Sequence, residues 1–517
     1  MLRTMAALGI GSSLNACGSS SASSPPPGTP PVAPPPGRPA SPRPGDWPGN
    51  IGAGKTVAIL GAGIAGMTAA LEMQRLGYNC TIIEARSSAG GRNRTLRAGD
   101  IAEENASSQQ CQFDVDDKLY FNAGPSRIAH HHEFLLGYCR EFGVPLEFFA
   151  NDNRSALLHQ PGAFAGQAQL KRRIDADTRG HIARLLATAI NQNALDQELS
   201  AADKNNVLKM LQTFGDLDSN YNYSGSARAG FPGQEDTGSR ERNSQLGPLA
   251  LQDLVADVFW AQQASFTEGL HQQPSMLQPV GGMDRIAKAF EARLINSIVF
   301  DAEVTAIRKT TNGTRVIYRR MGTDVQLETD YCVVCIPASV LAGIANDFSA
   351  AHQSEIAGFQ YTSAVRVAFQ SRRFWEQDHN IFGGVSWTDQ DITQIWYPSN
   401  DPGETDGIVL GAYVFDGPAG SALSSQLPQQ RHAYALDQAS AVHPEFAQEA
   451  SRGISVAWKN VPFQLGGWGA STPNVLLTAD ENFFFAGEHL SHLQGWQEGA
   501  IISAYNAIDA IVARDLT

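Results

Sequence analysis

Apolar positions along the chain follow two periods, and the switches between them mark out the elements. Residues 56–60, TVAIL, form a short apolar run rich in β-branched side chains, long enough for one buried parallel strand. From 64 to 76 the spacing is helical, with Met67, Ala70, Leu71 and Met73 near one face, and Gly77 ends the helix. A second strand at 79–83 completes a βαβ unit. Residues 113–128 begin with strand-like alternation and then turn at Gly124 and Pro125. His130, His131 and His132 open a helix continuing through Phe134, Leu135, Leu136, Tyr138 and Phe142. Helical spacing returns over 175–214 and 249–266, separated by a Gly-, Ser-, Asn- and Asp-rich loop at 215–245. A helix at 285–294 leads into a strand near 300–307, and 331–337 reads as another buried strand. The segments 361–369, 387–398 and 408–415 read as strands of a largely antiparallel unit. A last strand at 481–486 and a helix at 498–514 close the sequence.

With 517 residues the chain is too long for one core, so two or three domains are expected. A net charge of -14 leaves no basic surplus to neutralise phosphates and argues against a nucleic-acid partner. Residues 1–16 carry one early arginine and an apolar middle, and with Cys17 they resemble a bacterial lipoprotein signal ending at a lipidated cysteine. Export and a lipid anchor at Cys17 are therefore expected. Residues 18–50 are Ser, Pro and Gly with almost no large apolar side chain, so 1–50 reads as a signal-like segment and an extended tether.

The candidate chemistry begins at the first βαβ unit. Gly61, Gly63 and Gly66 have G-x-G-x-x-G spacing between strand and helix, with Ile64 and Ala65 at the helix start. Gly61 permits the turn, Gly63 lets the backbone approach a pyrophosphate, and Gly66 lets helix and strand pack. Glu84 ends the second strand, 23 residues after Gly61, where it can accept both hydroxyls of an unmodified ribose. FAD or NAD is thus expected, and not NADP; Ala85 and Arg86 flank that carboxylate. No metal site is expected: consecutive side chains such as His130, His131 and His132 diverge. Cys332 and Cys335 lie in an apolar strand, where residues three apart face opposite ways.

The stretch after Glu84, ARSSAGGRNRT with Gly91 and Arg92, resembles the signature of the flavin amine oxidase superfamily. The resemblance implies that Arg92 reaches the FAD phosphates. Gly124, Pro125, Ser126 and Arg127 resemble the Gly-Pro-x-Arg step of the L-amino acid oxidase branch, whose backbone lies beside the flavin and whose arginine pairs with the substrate carboxylate. A planar guanidinium suits that task through two parallel charge-assisted bonds. By the same likeness Val304 contacts adenine through its backbone, and Tyr413 shares the substrate carboxylate. FAGEHLSHLQGWQEGAIISA resembles the family's final FAD motif. There Gly487, Glu488, Gln497 and Ala500 fall at the cofactor, Gly495 offers its carbonyl to the substrate amine, and Trp496 walls the site. No cysteine lies in this stretch, so a non-covalent flavin is expected. One departure stands out: the lysine that most members carry ten residues before the Phe-Trp tryptophan is Val365 here, and its neighbour Arg366 could replace it only through a register shift.

The implied fold is α/β: a Rossmann-like, glutathione-reductase-like FAD-binding domain (51–115, 274–355, 466–517), a mixed-sheet substrate domain (116–150, 356–465) and an inserted helical domain (151–273). The implied activity is oxidative deamination of L-amino acids with dioxygen, giving 2-oxo acids, ammonia and hydrogen peroxide. An amide-forming monooxygenase, a primary-amine or polyamine oxidase and a non-catalytic flavin protein are the alternatives. A homodimer or higher homo-oligomer is the expected assembly.

Overall fold

The computed structural model describes residues 42–231, 244–415 and 417–517. The signal-like segment, Cys17, most of the tether and the middle of the 215–245 loop lie outside the described residues.

The α/β organisation is built on a five-stranded parallel sheet in the order Ile298–Val299, Asn79–Ile83, Thr56–Leu60, Tyr331–Val334, Phe483–Phe485. Both faces are covered, which is why its strands read as continuous apolar runs. Val57 and Ile59 face one core with the helices Ile64–Arg75, Asp284–Leu294 and Gln497–Asp515. Ala58 and Leu60 face the other, against the antiparallel strands Ala302–Lys309, Thr314–Arg320 and Thr323–Thr329. Cys332 and Cys335 divide in the same way, one to each core, and no disulfide occurs among the described residues.

A seven-stranded mixed sheet stands beside it, in the order Ala450–Ala457, Val365–Arg372, Asp406–Val414, Gln394–Tyr397, Gly384–Thr388, Leu157–His159, Gln169–Leu170. Its last two strands come from the start of the segment expected to be helical. There Leu157–His159 pairs in parallel with Trp387 and Thr388, and the helices begin only at Lys171. Lys171–Asn191 and Ala201–Gly215 then pack on each other around Leu208, Leu211 and Tyr223.

Two strand expectations change. Of residues 113–123 only Phe121–Asn122 forms a strand, paired with Thr95–Leu96. Asp114 and Asp116 draw the backbone before it into turns, through Asp116 N to Asp114 O at 2.9 Å and Lys118 N to Asp116 Oδ1 at 2.9 Å. Phe113 and Leu119 still reach a core, whereas Val115 between them is exposed. Residues 387–398 fall in two antiparallel strands because Thr393 takes φ +54° in a turn closed by Thr388 N to Thr393 O at 2.9 Å. No helix among the described residues is long and apolar enough to cross a membrane.

The packing leaves several histidines neutral well below pH 6, among them His432, His443 and His489. Burial holds His432 at about 4, His443 at about 3 and His489 at about 4; Arg431 adds repulsion at His432 and His379 at His443, while Glu488 opposes the shift at His489. The unfolded chain protonates near pH 6.5 and the folded one does not, so the unfolded state binds more protons and stability falls as pH drops below 6.5. At pH 5 each such histidine removes about 2 kcal/mol. Urea unfolding midpoints measured from pH 7 to pH 5 should fall steeply, and His443→Gln should flatten the slope by about one proton. A slope unchanged in that variant would show that His443 does not set it.

Candidate active site

The cofactor motif folds as a tight cradle. Gly61 takes φ +101°, and its amide bonds Ile83 O at 2.8 Å, joining the first two strands at the turn. Gly63 caps the helix Ile64–Arg75 with no side-chain hydrogen bond, although Ile64, Ala65 and Gly66 of its first turn are buried. Those amides and the helix dipole therefore point at the turn with no side-chain acceptor of the chain's own, a ready anion site. A Cβ on Gly66 would lie 2.0 Å from Gly61 O, whereas one on Gly63 would meet nothing within 4 Å. The chain needs glycine at Gly66 for packing, and at Gly63 it leaves room.

Glu84 is buried at the end of its strand. Its carboxylate accepts Ala62 N at 2.7 Å and Arg86 N at 3.0 Å, and burial raises its pKa against those two bonds. Ala302 N donates to Glu84 O and Asp301 N to Arg86 O, which brings the strand carrying Val304 beside this carboxylate. A cleft of about 470 Å³ runs past Arg86, Ser88 and Gly91. Arg92 directs Nη1 to Gly467 O at 2.9 Å and to Glu488 Oε1 at 2.6 Å. Glu488 also accepts Gly469 N at 3.2 Å and, through Oε2, Gly495 N at 2.9 Å. One carboxylate thus ties the second cofactor segment to the last one. Glu488→Gln should leave Arg92 half-paired and lower stability by about 3 kcal/mol, the lower end for breaking a buried pair from one side. Urea unfolding should show that loss, together with flavin released on gel filtration; a variant as stable and as yellow as the parent would remove Glu488 from this role.

Gly124 passes so close beneath this segment that a Cβ there would sit 1.9 Å from Arg92 O. Pro125 and Ser126 carry the chain on to Arg127, whose guanidinium enters a cavity of about 70 Å³ lined by the seven-stranded sheet together with Phe121, Asn122 and Phe149. The group lies 4.7 Å from the Trp396 ring, 5.9 Å from Trp496 and 6.0 Å from Phe149. Its single hydrogen bond is Nη2 to Gln272 Oε1 at 3.1 Å, and Nε has no partner. Burial lowers its pKa to about 10; Tyr413 opposes the shift and Arg366 adds to it. Among the described residues no carboxylate pairs with it.

Arg366 shares that cavity. Val365 and Val367 face the core, while Arg366 and Ala368 face the cavity, and the strand's register shifts between Val367 and Ala368. Arg366 donates to Asn122 O at 2.7 Å and Ser126 Oγ at 2.5 Å, with its guanidinium 3.8 Å from the Tyr413 ring. Tyr413 is its cross-strand partner and lines the same space. Among the described residues no Asp or Glu lines this cavity, so there it holds two guanidinium charges with no counter-ion.

Of the residues expected at the substrate, Arg127 and Tyr413 line one cavity, and the Trp496 ring lies 5.9 Å from the Arg127 guanidinium without itself lining that cavity. Gly495 is exposed with φ +81°, packed on the Trp468 ring, and is not part of that cavity's wall. Gln497 opens the last helix beside Trp496; its Nε2 is buried without a partner, and Ala500 packs in the core below. Gln272 and Phe149 also touch Arg127, and neither stands in a motif.

Residues 64–512 match the family model described as flavin containing amine oxidoreductase. The chain belongs to that family. Among relatives of the flavin containing amine oxidoreductase family, the flavin-dependent L-tryptophan oxidase RebO of Lentzea aerocolonigenes is 27% identical over 494 residues, covering 89% of this chain and 98% of the relative. An L-amino-acid oxidase of Siganus canaliculatus is 24% identical over 473 residues, covering 87% and 84%. Putrescine oxidase with bound putrescine has the same fold, with TM-score 0.58 at 15% identity over 89% of this chain and 99% of that one. The family's flavin fits the residues present: the helix Ile64–Arg75 starts without a side-chain cap, Gly63 leaves room where a Cβ would meet nothing, and the Gln497 amide is buried without a partner.

Proposed function

We propose that the chain catalyses oxidative deamination of L-amino acids, with FAD held non-covalently. The observation that carries this reading is the buried, aromatic-flanked guanidinium of Arg127, which has no carboxylate of its own. A substrate α-carboxylate supplies the missing counter-ion through two parallel charge-assisted bonds. A simple amine or diamine would instead bring a third positive charge into a cavity that already holds two.

Bound FAD supplies the acceptor for a hydride leaving the substrate's α carbon. The residues of the chain prepare that transfer. Arg127 fixes the carboxylate, Tyr413 adds the edge of its ring at the same end, and Trp496 closes a wall, so that one face of the α carbon is presented. Arg127 and Arg366 together disfavour a substrate ammonium in a desolvated space and so help it lose its proton before the hydride departs. The resulting imino acid is hydrolysed by water to a 2-oxo acid and ammonia, and dioxygen takes up the two electrons as hydrogen peroxide.

The test is anaerobic mixing of the yellow protein with L-amino acids, their D-forms and simple amines, followed at the flavin's visible band. Bleaching by L-amino acids with release of equal 2-oxo acid and ammonia in air supports the reading. Bleaching by amines in preference, or an amide with carbon dioxide as product, overturns it.

A further inference from the structure

Residues 130–132 are three successive histidines, and the structure does not spread all of them apart. His130 turns to Gln273, with Nε2 3.1 Å from its side-chain amide. His131 and His132 meet His271, which arrives from the far end of the helical insertion. One ring nitrogen from each lies within 4.8 Å of the others. His131 Nε2 and His271 Nδ1 are 2.8 Å apart.

His132 is fully buried, and neither of its ring nitrogens has a partner among the described residues. His131 Nδ1 is likewise buried and alone. Buried polar atoms in native proteins are satisfied with few exceptions, and a cluster of them at one point calls for a ligand.

We propose that His131, His132 and His271 form a binding site for one divalent transition-metal ion of the zinc class, with a fourth position open to water. Three imidazoles and no carboxylate select zinc, copper, nickel or cobalt over magnesium or calcium. Metal–nitrogen bonds of about 2.0–2.1 Å in tetrahedral geometry place ligand nitrogens about 3.3 Å apart. The His131–His271 pair therefore opens by about half an ångström, exchanging its mutual hydrogen bond for two metal bonds. The other histidine-rich group, His379, His443 and Glu445, is already committed: His379 bonds Glu445, and His443 Nε2 bonds the Tyr397 hydroxyl at 2.5 Å.

The site lies behind Trp496, one of the rings that flank the Arg127 guanidinium. The Trp496 ring packs edge-on to His132 at 4.9 Å and lies 6.2 Å from His271. Gln272, next to His271 in the chain, is the residue that bonds Arg127. An ion here braces the tryptophan and the glutamine from behind.

The experiment uses the full-length holoprotein without an affinity tag, stripped with a chelator and dialysed, then titrated with cobalt(II) and back-titrated with zinc. The parent should take up cobalt with visible d–d bands that zinc abolishes, and His130→Ala should behave the same. His271→Ala and His132→Ala should each lose one equivalent and bind roughly 100-fold more weakly, one ligand's share of a multi-ligand binding energy. His271 is half-exposed, so its variant gives the answer even where His132→Ala fails to fold. Cobalt uptake unchanged in His271→Ala, or no uptake by the parent at millimolar cobalt, overturns the proposal.

Discussion

If the proposed L-amino acid oxidation holds, Arg127→Met should lower kcat/KM for L-amino acids by roughly 10²–10³-fold, the equivalent of about 3–4 kcal/mol for one partner of a desolvated charge pair, while the protein stays yellow. The size of the loss is set by where the guanidinium sits. It is buried among Phe149, Trp396 and Trp496, so solvent does not replace it, and a carboxylate entering the variant finds only Arg366, already bonded to Asn122 and Ser126. Most of the loss should appear in KM, because the clamp acts on the ground state and the transition state alike. Arg127→Lys keeps the charge but not the fork, and should recover only part of the loss. Steady-state kinetics with a flavin-to-protein ratio for each variant separate binding from cofactor loss. Unaltered amino-acid kinetics in Arg127→Met would remove the carboxylate from this end of the cavity.

Gly66→Ala should be among the most damaging single methyls that the described residues could take. Its Cβ falls 2.0 Å from Gly61 O, against a backbone atom that cannot rotate away. Helix and strand must separate, opening a core that holds Val57, Ile59, Met67 and Ala70, and the cost of such overpacking is about 3 kcal/mol. The variant should purify with little flavin and unfold at lower urea. Gly63→Ala supplies the contrast, because its Cβ meets nothing within 4 Å. It should fold with parental stability yet hold flavin weakly, since the added methyl stands where the pyrophosphate must come. Gly63→Ala with normal flavin affinity would place the phosphates elsewhere.

These two sites also show which parts of the molecule can be read without its structure. Gly61, Gly63, Gly66 and Glu84 lie within one βαβ unit, where a short local pattern carries the whole geometry, and they stand where their spacing puts them. Arg127 is similarly marked by the turn before it. Gln272 and His271 carry no such mark: they reach the site only because the helical insertion returns to Ile128 and Leu277, a pairing set by tertiary packing. Arg366 takes its direction from simple alternation, with Val365, Val367 and Phe369 in the core and Arg366 and Ala368 toward the cavity, but which face would hold a cavity is set by tertiary packing. The alternation over 113–123 misleads for the opposite reason: Phe113 and Leu119 are buried as expected, but Asp114 and Asp116 commit the backbone to turns.

The edge strand Phe483–Phe485, with Glu488 tying Gly495 to Arg92, has a consequence for the order of events in the cell. At roughly 5–20 residues per second, the first glycine turn leaves the ribosome on the order of tens of seconds before the strand that completes its sheet. The cradle is thus half-built through most of synthesis, and pairing its two ends closes a loop of nearly the whole described chain, a slow step. Cofactor capture is consequently an event of the released polypeptide. A chain stalled before Phe483 should remain colourless on the ribosome, however much FAD surrounds it.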